Sequence, residues 1–287
     1  MLLASAALAG AQQPPPSCKS CAVWNTPQAP FVIFGNTYYV GPRGLSSILI
    51  TSGAGHVLID GALPESASQI AANIRTLGFR IEDVKLIVNS HVHFDHAGGI
   101  AELQRLSGAR VAASKWSAAV MKKGGVAPDD PQFGVLLPIA SVADVRTVKD
   151  GEVISVGPIA LTAYFTPGHT PGGTSWTWQS CAGGRCLDMV YMDSTTAVSA
   201  PGFKYTNNTK YPNGIQDLEK GIDFLSNVKC GILLTAHPEA AGLWDRLEAR
   251  ERKVMPDPMV DTGACRELAG RAKELLRKRI ADEAAQQ

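Results

Sequence analysis

Asn89-Ser90-His91-Val92-His93-Phe94-Asp95-His96-Ala97-Gly98-Gly99 is the stretch that decides how this chain folds and what it holds. It follows residues 84–88, a short apolar run of the kind a buried strand shows, and leads into residues 97–106, which read as a helix. The junction between a strand end and a helix start is where α/β proteins place their sites. Two histidines separated by one residue point to the same side of an extended segment, and the turn after them can aim Asp95 and His96 elsewhere. Imidazole and carboxylate are ligands that borderline divalent metals such as zinc accept. A single tetrahedral ion cannot use four such side chains and keep an open position, so the cluster predicts a pair of ions. Three of the chain's six histidines fall within these six residues, which a chance exposed loop does not explain.

Outward from that stretch, strands and helices alternate. Upstream, residues 31–34, 38–40, 46–51 and 56–60 are mostly β-branched or aromatic and are separated by Gly or Asn, which predicts an antiparallel meander. Residues 66–77 carry Ile70, Ile74 and Leu77 at helical spacing. Downstream, a strand is expected over 109–113 and a helix over 116–123 ending at Gly124-Gly125, followed by a long functional or mobile loop over 126–142. Strand patterns resume at 154–164, 175–179 and 187–192, then a helix over 215–226, a strand over 231–235 and a C-terminal helix over 262–285. This order predicts an α/β protein with helices outside packed sheets.

Composition bounds the remaining choices. The 287 residues include 45% apolar and 18% charged side chains, which excludes intrinsic disorder and a coiled coil. Lys plus Arg number 27 against 26 Asp plus Glu, so the net charge of +1 offers no attraction for nucleic acid or an anionic membrane. Residues 1–11, MLLASAALAGA, end in the small-residue pattern of a signal-peptide cleavage site and are too short to span a membrane. The expected organisation is a signal peptide over 1–11, an irregular Pro- and Gln-rich leader over 12–30, and one domain over 31–287, in a periplasmic or secreted and monomeric protein. The C-terminal helix carries Leu268, Ala272, Leu275, Leu276 and Ile280 along one side. Its basic residues are diluted by Glu267, Glu274, Asp282 and Glu283, so a packed helix with a solvated face is expected.

Two further histidines sit directly after strand-like runs. His169 lies in Thr166-Pro167-Gly168-His169-Thr170-Pro171-Gly172-Gly173 and His237 in Thr235-Ala236-His237-Pro238. His56 starts a strand with no partner in sequence and reads as structural. His91-x-His93-x-Asp95-His96 with His169 and His237 resembles the metallo-β-lactamase superfamily. The likeness continues through Leu58-Ile59-Asp60-Gly61, Gly168-His169-Thr170-Pro171-Gly172 and Met192-Asp193-Ser194 over roughly residues 31–250. Asp193-Ser194 where other class B β-lactamases place Cys, Asp95-His96 with His237, and the segment Thr174-Ser175-Trp176-Thr177-Trp178 narrow it to the third subclass, which has no cysteine ligand.

The resemblance implies an αβ/βα four-layer sandwich of two packed sheets with outer helices. It assigns His91, His93 and His169 to a first zinc, and Asp95, His96 and His237 to a second. The implied activity is opening of the β-lactam ring of a small-molecule antibiotic, by attack of a zinc-held hydroxide available near neutral pH. The family places hydroxyls such as those of Ser194 and Thr196 against substrate carboxylate or metal-held water, while Asp193 reads as an outer partner of a ligand. Gln132 and Phe133 in the long loop and Trp24 near the leader are candidates for the cleft walls. Among the six cysteines, Cys181 and Cys186 flank a hairpin-like turn. The resembling subclass has a bridge of the Cys230–Cys265 kind, which leaves Cys18 and Cys21 as a disulfide or a labile redox pair. Two alternatives stand beside this reading. One is a lactone or thioester hydrolase of the same superfamily, in which Asp193 would bridge metals; the other is a non-catalytic periplasmic zinc-binding protein.

Overall fold

The computed structural model describes residues 17–285. The expected signal peptide over 1–11 and the first part of the leader, 12–16, lie outside the described residues. The rest of the leader is not wholly irregular: Cys21–Trp24 form one helical turn, α1. Strands β1 (Phe31–Phe34), β2 (Thr37–Tyr39), β3 (Ile48–Ile50) and β4 (His56–Ile59) then pair antiparallel in sequence order, the meander that the apolar and turn pattern predicts. After helix α2 (Ser66–Thr76), strand β5 (Val84–Val88) pairs parallel with β4.

The single helix expected over 97–106 is two pieces, α3 (Phe94–Ala97) and α4 (Ile100–Ser107), parted by Gly98-Gly99. The break has a packing cause. A Cβ at Gly99 would sit 2.3 Å from the Gly61 carbonyl oxygen, so the chain after β4 passes too close for any side chain. Strand β6 (Arg110–Ala113), helix α5 (Lys115–Lys123) and strand β7 (Val145–Thr147) complete a seven-stranded sheet in the order β1 to β7, whose last four strands run parallel. β7 was not expected, because Val145-Arg146-Thr147 is short and only its first residue is buried.

The second sheet holds β8 (Val153–Val156), β9 (Ile159–Phe165), β10 (Thr174–Ala182), β11 (Arg185–Met192) and β12 (Ile232–Thr235). Its order is β12-β11-β10-β9-β8, with β11 and β12 parallel. The continuous strand expected over 154–164 is a hairpin turning at Gly157-Pro158. Helix α6 (Gly214–Asn227) links β11 to β12, and helices α7 (Leu243–Glu251) and α8 (Ala264–Ala284) follow β12. α7 escaped the sequence reading, since Leu243 is its one buried residue and the rest is strongly charged.

Three apolar clusters show four layers. One lies between α2, α4, α5 and the first sheet. A second, containing Ile48, Val57, Trp176, Met189 and Leu234, fills the space between the sheets. The third lies between the second sheet and α6 and α8. β4 and β12 are buried at every position, as strands covered on both faces must be. This is the αβ/βα sandwich expected from the sequence. Disulfides join Cys18 to Cys21, Cys181 to Cys186 across the β10–β11 turn, and Cys230 to Cys265, tying α8 to the segment before β12. All six cysteines are therefore bonded, and none offers a thiolate. No helix among the described residues is long and apolar enough to cross a membrane.

Candidate metal centre

Buried Asp60, at the end of β4, fastens the residues that launch the histidine cluster. It accepts hydrogen bonds from Asn89 Nδ2 (3.0 Å), the Ser90 amide (2.7 Å), Ser90 Oγ (2.6 Å) and the Tyr191 hydroxyl (2.8 Å). The chain then runs extended through His93, which is the residue before α3 (φ −102°, ψ 154°), and Asp95 and His96 fall in that helix's single turn. The change from strand to helix gives the four side chains two directions, as their spacing requires.

His169 and His237 join from the second sheet. His169 sits in the turn between β9 and β10, where Gly168 takes φ +128° and packs so closely on α6 that a Cβ would meet Leu218 Cγ at 2.5 Å. His237 lies two residues beyond the end of β12. The result is two trios, His91–His93–His169 and Asp95–His96–His237, each with its donor atoms within 4.8 Å of one another. The rings of His91 and His96 have centroids 4.3 Å apart, so the trios are neighbours.

Hydrogen bonds orient the rings. The N–H on His91 Nδ1 faces Asp193 Oδ1 at 2.6 Å, and His93 Nε2 faces Asp130 Oδ2 at 3.0 Å. His169 Nδ1 donates to the Thr196 carbonyl at 2.9 Å, and His237 Nδ1 to the Gly44 carbonyl at 3.3 Å. Each such bond leaves the opposite ring nitrogen with its lone pair turned to the site, the arrangement that metal-binding imidazoles need. Buried His91 Nε2 and both ring nitrogens of buried His96 have no hydrogen-bond partner among the described residues. Unpaired buried nitrogens are costly, and a cation satisfies them. Nitrogen and carboxylate donors without thiolate fit zinc.

The electrostatics agree. Burial, reinforced by neighbouring His96, His93 and His169, drives the His91 imidazole well below its ordinary pKa, keeping it neutral. Burial and His93 lower His169 to about 3. Burial alone would raise Asp95, but His96 and His237, each 3.4 Å from Oδ2, hold its carboxyl well below the usual range. The site therefore presents neutral imidazoles at His91 and His169 and a ready carboxylate at Asp95.

A cavity of about 510 Å³ opens over both trios. Trp24, Gln132, Ser194 and Thr196 line it. Trp24 lies with its ring 5.3 Å from that of His237, and Gln132 Nε2 is 3.4 Å from His169 Nε2. Thr196 turns its hydroxyl toward His169 Nδ1 (3.1 Å), so its polar atoms serve that ring. Phe133 does not line this cavity. It is 46% exposed in an adjoining cleft with Pro128, Lys204 and Asn208, because Asp130-Pro131-Gln132 turn the chain so that Gln132 faces inward and its neighbour outward. His56 is buried apart from the centre, edge-on to Phe79 at 5.1 Å.

The sequence reading passed over Asp130 and the contribution of α8. Asp130 is buried behind His93 in a loop with another aspartate beside it, and only the adjacent Pro131-Gln132 hinted at its place. Leu268, Arg271, Ala272 and Leu275 of α8 form a cavity wall. Leu275 is thus not part of a fully packed side, being 58% exposed at the cavity.

A profile of the metallo-beta-lactamase superfamily matches residues 40–202. The solved structure of the Rm3 metallo-beta-lactamase is 57% identical and covers 94% of this chain and 100% of its own, with a TM-score of 0.91. MEM-A1, a subclass B3 metallo-beta-lactamase from a soil metagenome library, is 53% identical over 92% of this chain and 100% of its own, with a TM-score of 0.89. Among curated relatives, a hydroxyacylglutathione hydrolase of Methylobacterium nodulans is 32% identical over 107 residues, which is 37% of this chain and 32% of the relative. The chain therefore aligns with about a third of that relative's length.

Proposed function

The chain belongs to the metallo-beta-lactamase superfamily, and from that membership we propose that it is an exported, zinc-dependent hydrolase that opens the ring of β-lactam antibiotics. The observation that carries this reading is the match to the Rm3 metallo-beta-lactamase, 57% identical along the whole of that chain. His91, His93 and His169 would hold a first zinc, and Asp95, His96 and His237 a second. When bound, such a pair supplies Lewis acidity and a water acidified toward neutral pH.

The protein's own residues do the rest. Asp193, Asp130 and the Thr196 carbonyl fix three ring orientations before any substrate arrives. Trp24, Leu136, Val198 and Leu275 give the cavity apolar walls that displace water from a bound ring. Ser194 and Gln132 offer polar contacts in the cavity lining, and Arg271 is a lining cation suited to an anionic substrate group. A thioester hydrolase with Asp193 between the metals is less well supported. Asp193 Oδ1 lies behind His91, and Oδ2 lies where a Cβ on Gly173 would collide with it. Three disulfides suit an oxidising compartment, in keeping with export of a monomer.

Purified protein assayed against a cephalosporin, a carbapenem and an acylglutathione thioester, with and without chelator, tests the reading. Chelator-sensitive β-lactam hydrolysis is expected. Thioester cleavage without β-lactam hydrolysis would overturn it.

A further inference from the structure

At its C-terminal end α8 does more than present a solvated face. Glu283 is buried there, 3% exposed, four turns beyond Leu268 on the core-facing side of the helix. Its carboxylate accepts the amides of Tyr205 (2.9 Å) and Thr206 (2.8 Å) and the Thr206 hydroxyl (2.7 Å), and pairs with Arg279 Nε. Arg279 spends its other donors on the same loop: the Ala197 carbonyl (2.9 Å), Ser199 Oγ (2.8 Å) and the Phe203 carbonyl (2.9 Å). Its guanidinium also lies 5.3 Å from the centre of the Tyr205 ring.

The loop so gripped is the one that shapes the metal centre. Thr196, one residue before Ala197, carries the carbonyl that orients His169. The hydroxyl of buried Tyr205 lies 3.2 Å from the carbonyl of Gly168, the residue before His169, and 3.3 Å from that of Val198. Both restraints on His169, one on its ring and one on its backbone, therefore trace back to two charged side chains at the end of α8. A pair serving only stability could bind any part of the molecule. This one spends all of its side-chain hydrogen bonds outside α8 on the segment that touches His169 and the cavity.

We infer that Glu283 and Arg279 are positioning residues for the metal ligand His169, acting through the loop of residues 196–206. This rests on the assignment of His169 to a zinc site. Desolvation of Glu283 is outweighed by the bonds it accepts, which hold its carboxyl down to about 2, so the clasp stays charged at neutral pH.

The test compares the unaltered protein with Glu283→Ala, Glu283→Gln and Tyr205→Phe. Zinc affinity is read by competition with a chromophoric chelator, the cobalt-loaded visible spectrum reports ligand geometry, and Tm is read with and without metal. Glu283→Ala and Tyr205→Phe should each weaken one zinc site by about tenfold, the lower end for loss of an outer partner, and shift the cobalt spectrum. Glu283→Gln, which keeps its shape and its acceptor oxygen, should fall between them and the unaltered protein. Tyr205→Phe leaves the clasp in place and keeps the comparison open if Glu283→Ala fails to fold. A lower Tm with unchanged zinc affinity and cobalt spectrum in Tyr205→Phe and Glu283→Gln would overturn the inference, leaving the pair a structural brace. An unaltered protein that binds no zinc would instead bring down the metal assignment and the inference with it.

Discussion

Asp193 illustrates how much a single buried carboxylate can decide at this centre. Burial opposes its charge and pushes its pKa well above the ordinary carboxyl value, yet it sits 2.6 Å from His91 Nδ1. The contact fixes which nitrogen of a wholly buried ring faces His93 and His169, a choice the ring by itself leaves open. Asp193→Ala should therefore weaken zinc binding by roughly 10–100-fold, while Asp193→Asn, whose amide oxygen can still accept the N–H, should recover much of the loss. Isothermal titration of the metal-free variants checks this, and equal affinities across the three proteins would refute it. The proposed ligands were legible because zinc chemistry constrains residue type and spacing: few sequences place His-x-His-x-Asp-His at a strand end by accident. Asp130 does comparable work behind His93 and was not legible. An outer partner needs only an acceptor at the right point in space, so no spacing in sequence marks it.

At the scale of elements, the hydrophobic pattern located the buried strands and missed what rests on close approach or on charge. β4, β5 and β12 read directly, because strands covered on both faces are largely apolar, with Lys85 of β5 the one exposed position among the three. The interruption between α3 and α4 did not, because it is set by a distant segment. The chain after β4 crosses at Gly98-Gly99, and helical periodicity contains no information about that crossing. Gly99 has an ordinary φ of −84°, so the constraint is space and not backbone conformation. A Cβ there would meet the Gly61 and Leu63 carbonyl oxygens at 2.3 and 2.9 Å, both backbone atoms that cannot swing aside. Gly99→Ala should cost about 3 kcal/mol and lower Tm by roughly 10 °C through displacement of α3 from the sheet edge. Because α3 carries Asp95 and His96, zinc affinity should fall in the same variant. Thermal unfolding with and without zinc measures both effects, and a variant as stable as the parent would show that the two segments can separate at little cost.

For the molecule as a whole, the metal centre lies where two separately built halves meet, with four proposed ligands from the end of the first sheet and two from the second. The layered fold was readable because alternating strands and helices admit few architectures. The tie between α8 and the loop of residues 196–206 was not, since Glu283 and Arg279 sit among five other charged residues (Lys273, Glu274, Arg277, Lys278 and Asp282) in the last thirteen of α8, and nothing in sequence separates a clasp from a solvated face. That tie makes a prediction about acid stability. Burial would raise Glu283, but hydrogen bonds from Tyr205, Thr206 and Arg279 dominate and depress its pKa from 4.5 to about 2. A carboxyl with a depressed folded-state pKa binds its proton more readily in the unfolded chain. Its contribution is therefore complete above about pH 4.5 and is lost progressively as the pH falls toward 2. Glu283→Gln cannot change charge over that range. Urea midpoints of the two proteins should thus differ most at pH 5–7, with the parent higher, and converge as the pH is lowered from about 4.5 toward 3. A constant gap between the midpoints across that window would mean that the Glu283 charge contributes nothing to the union of α8 with the loop.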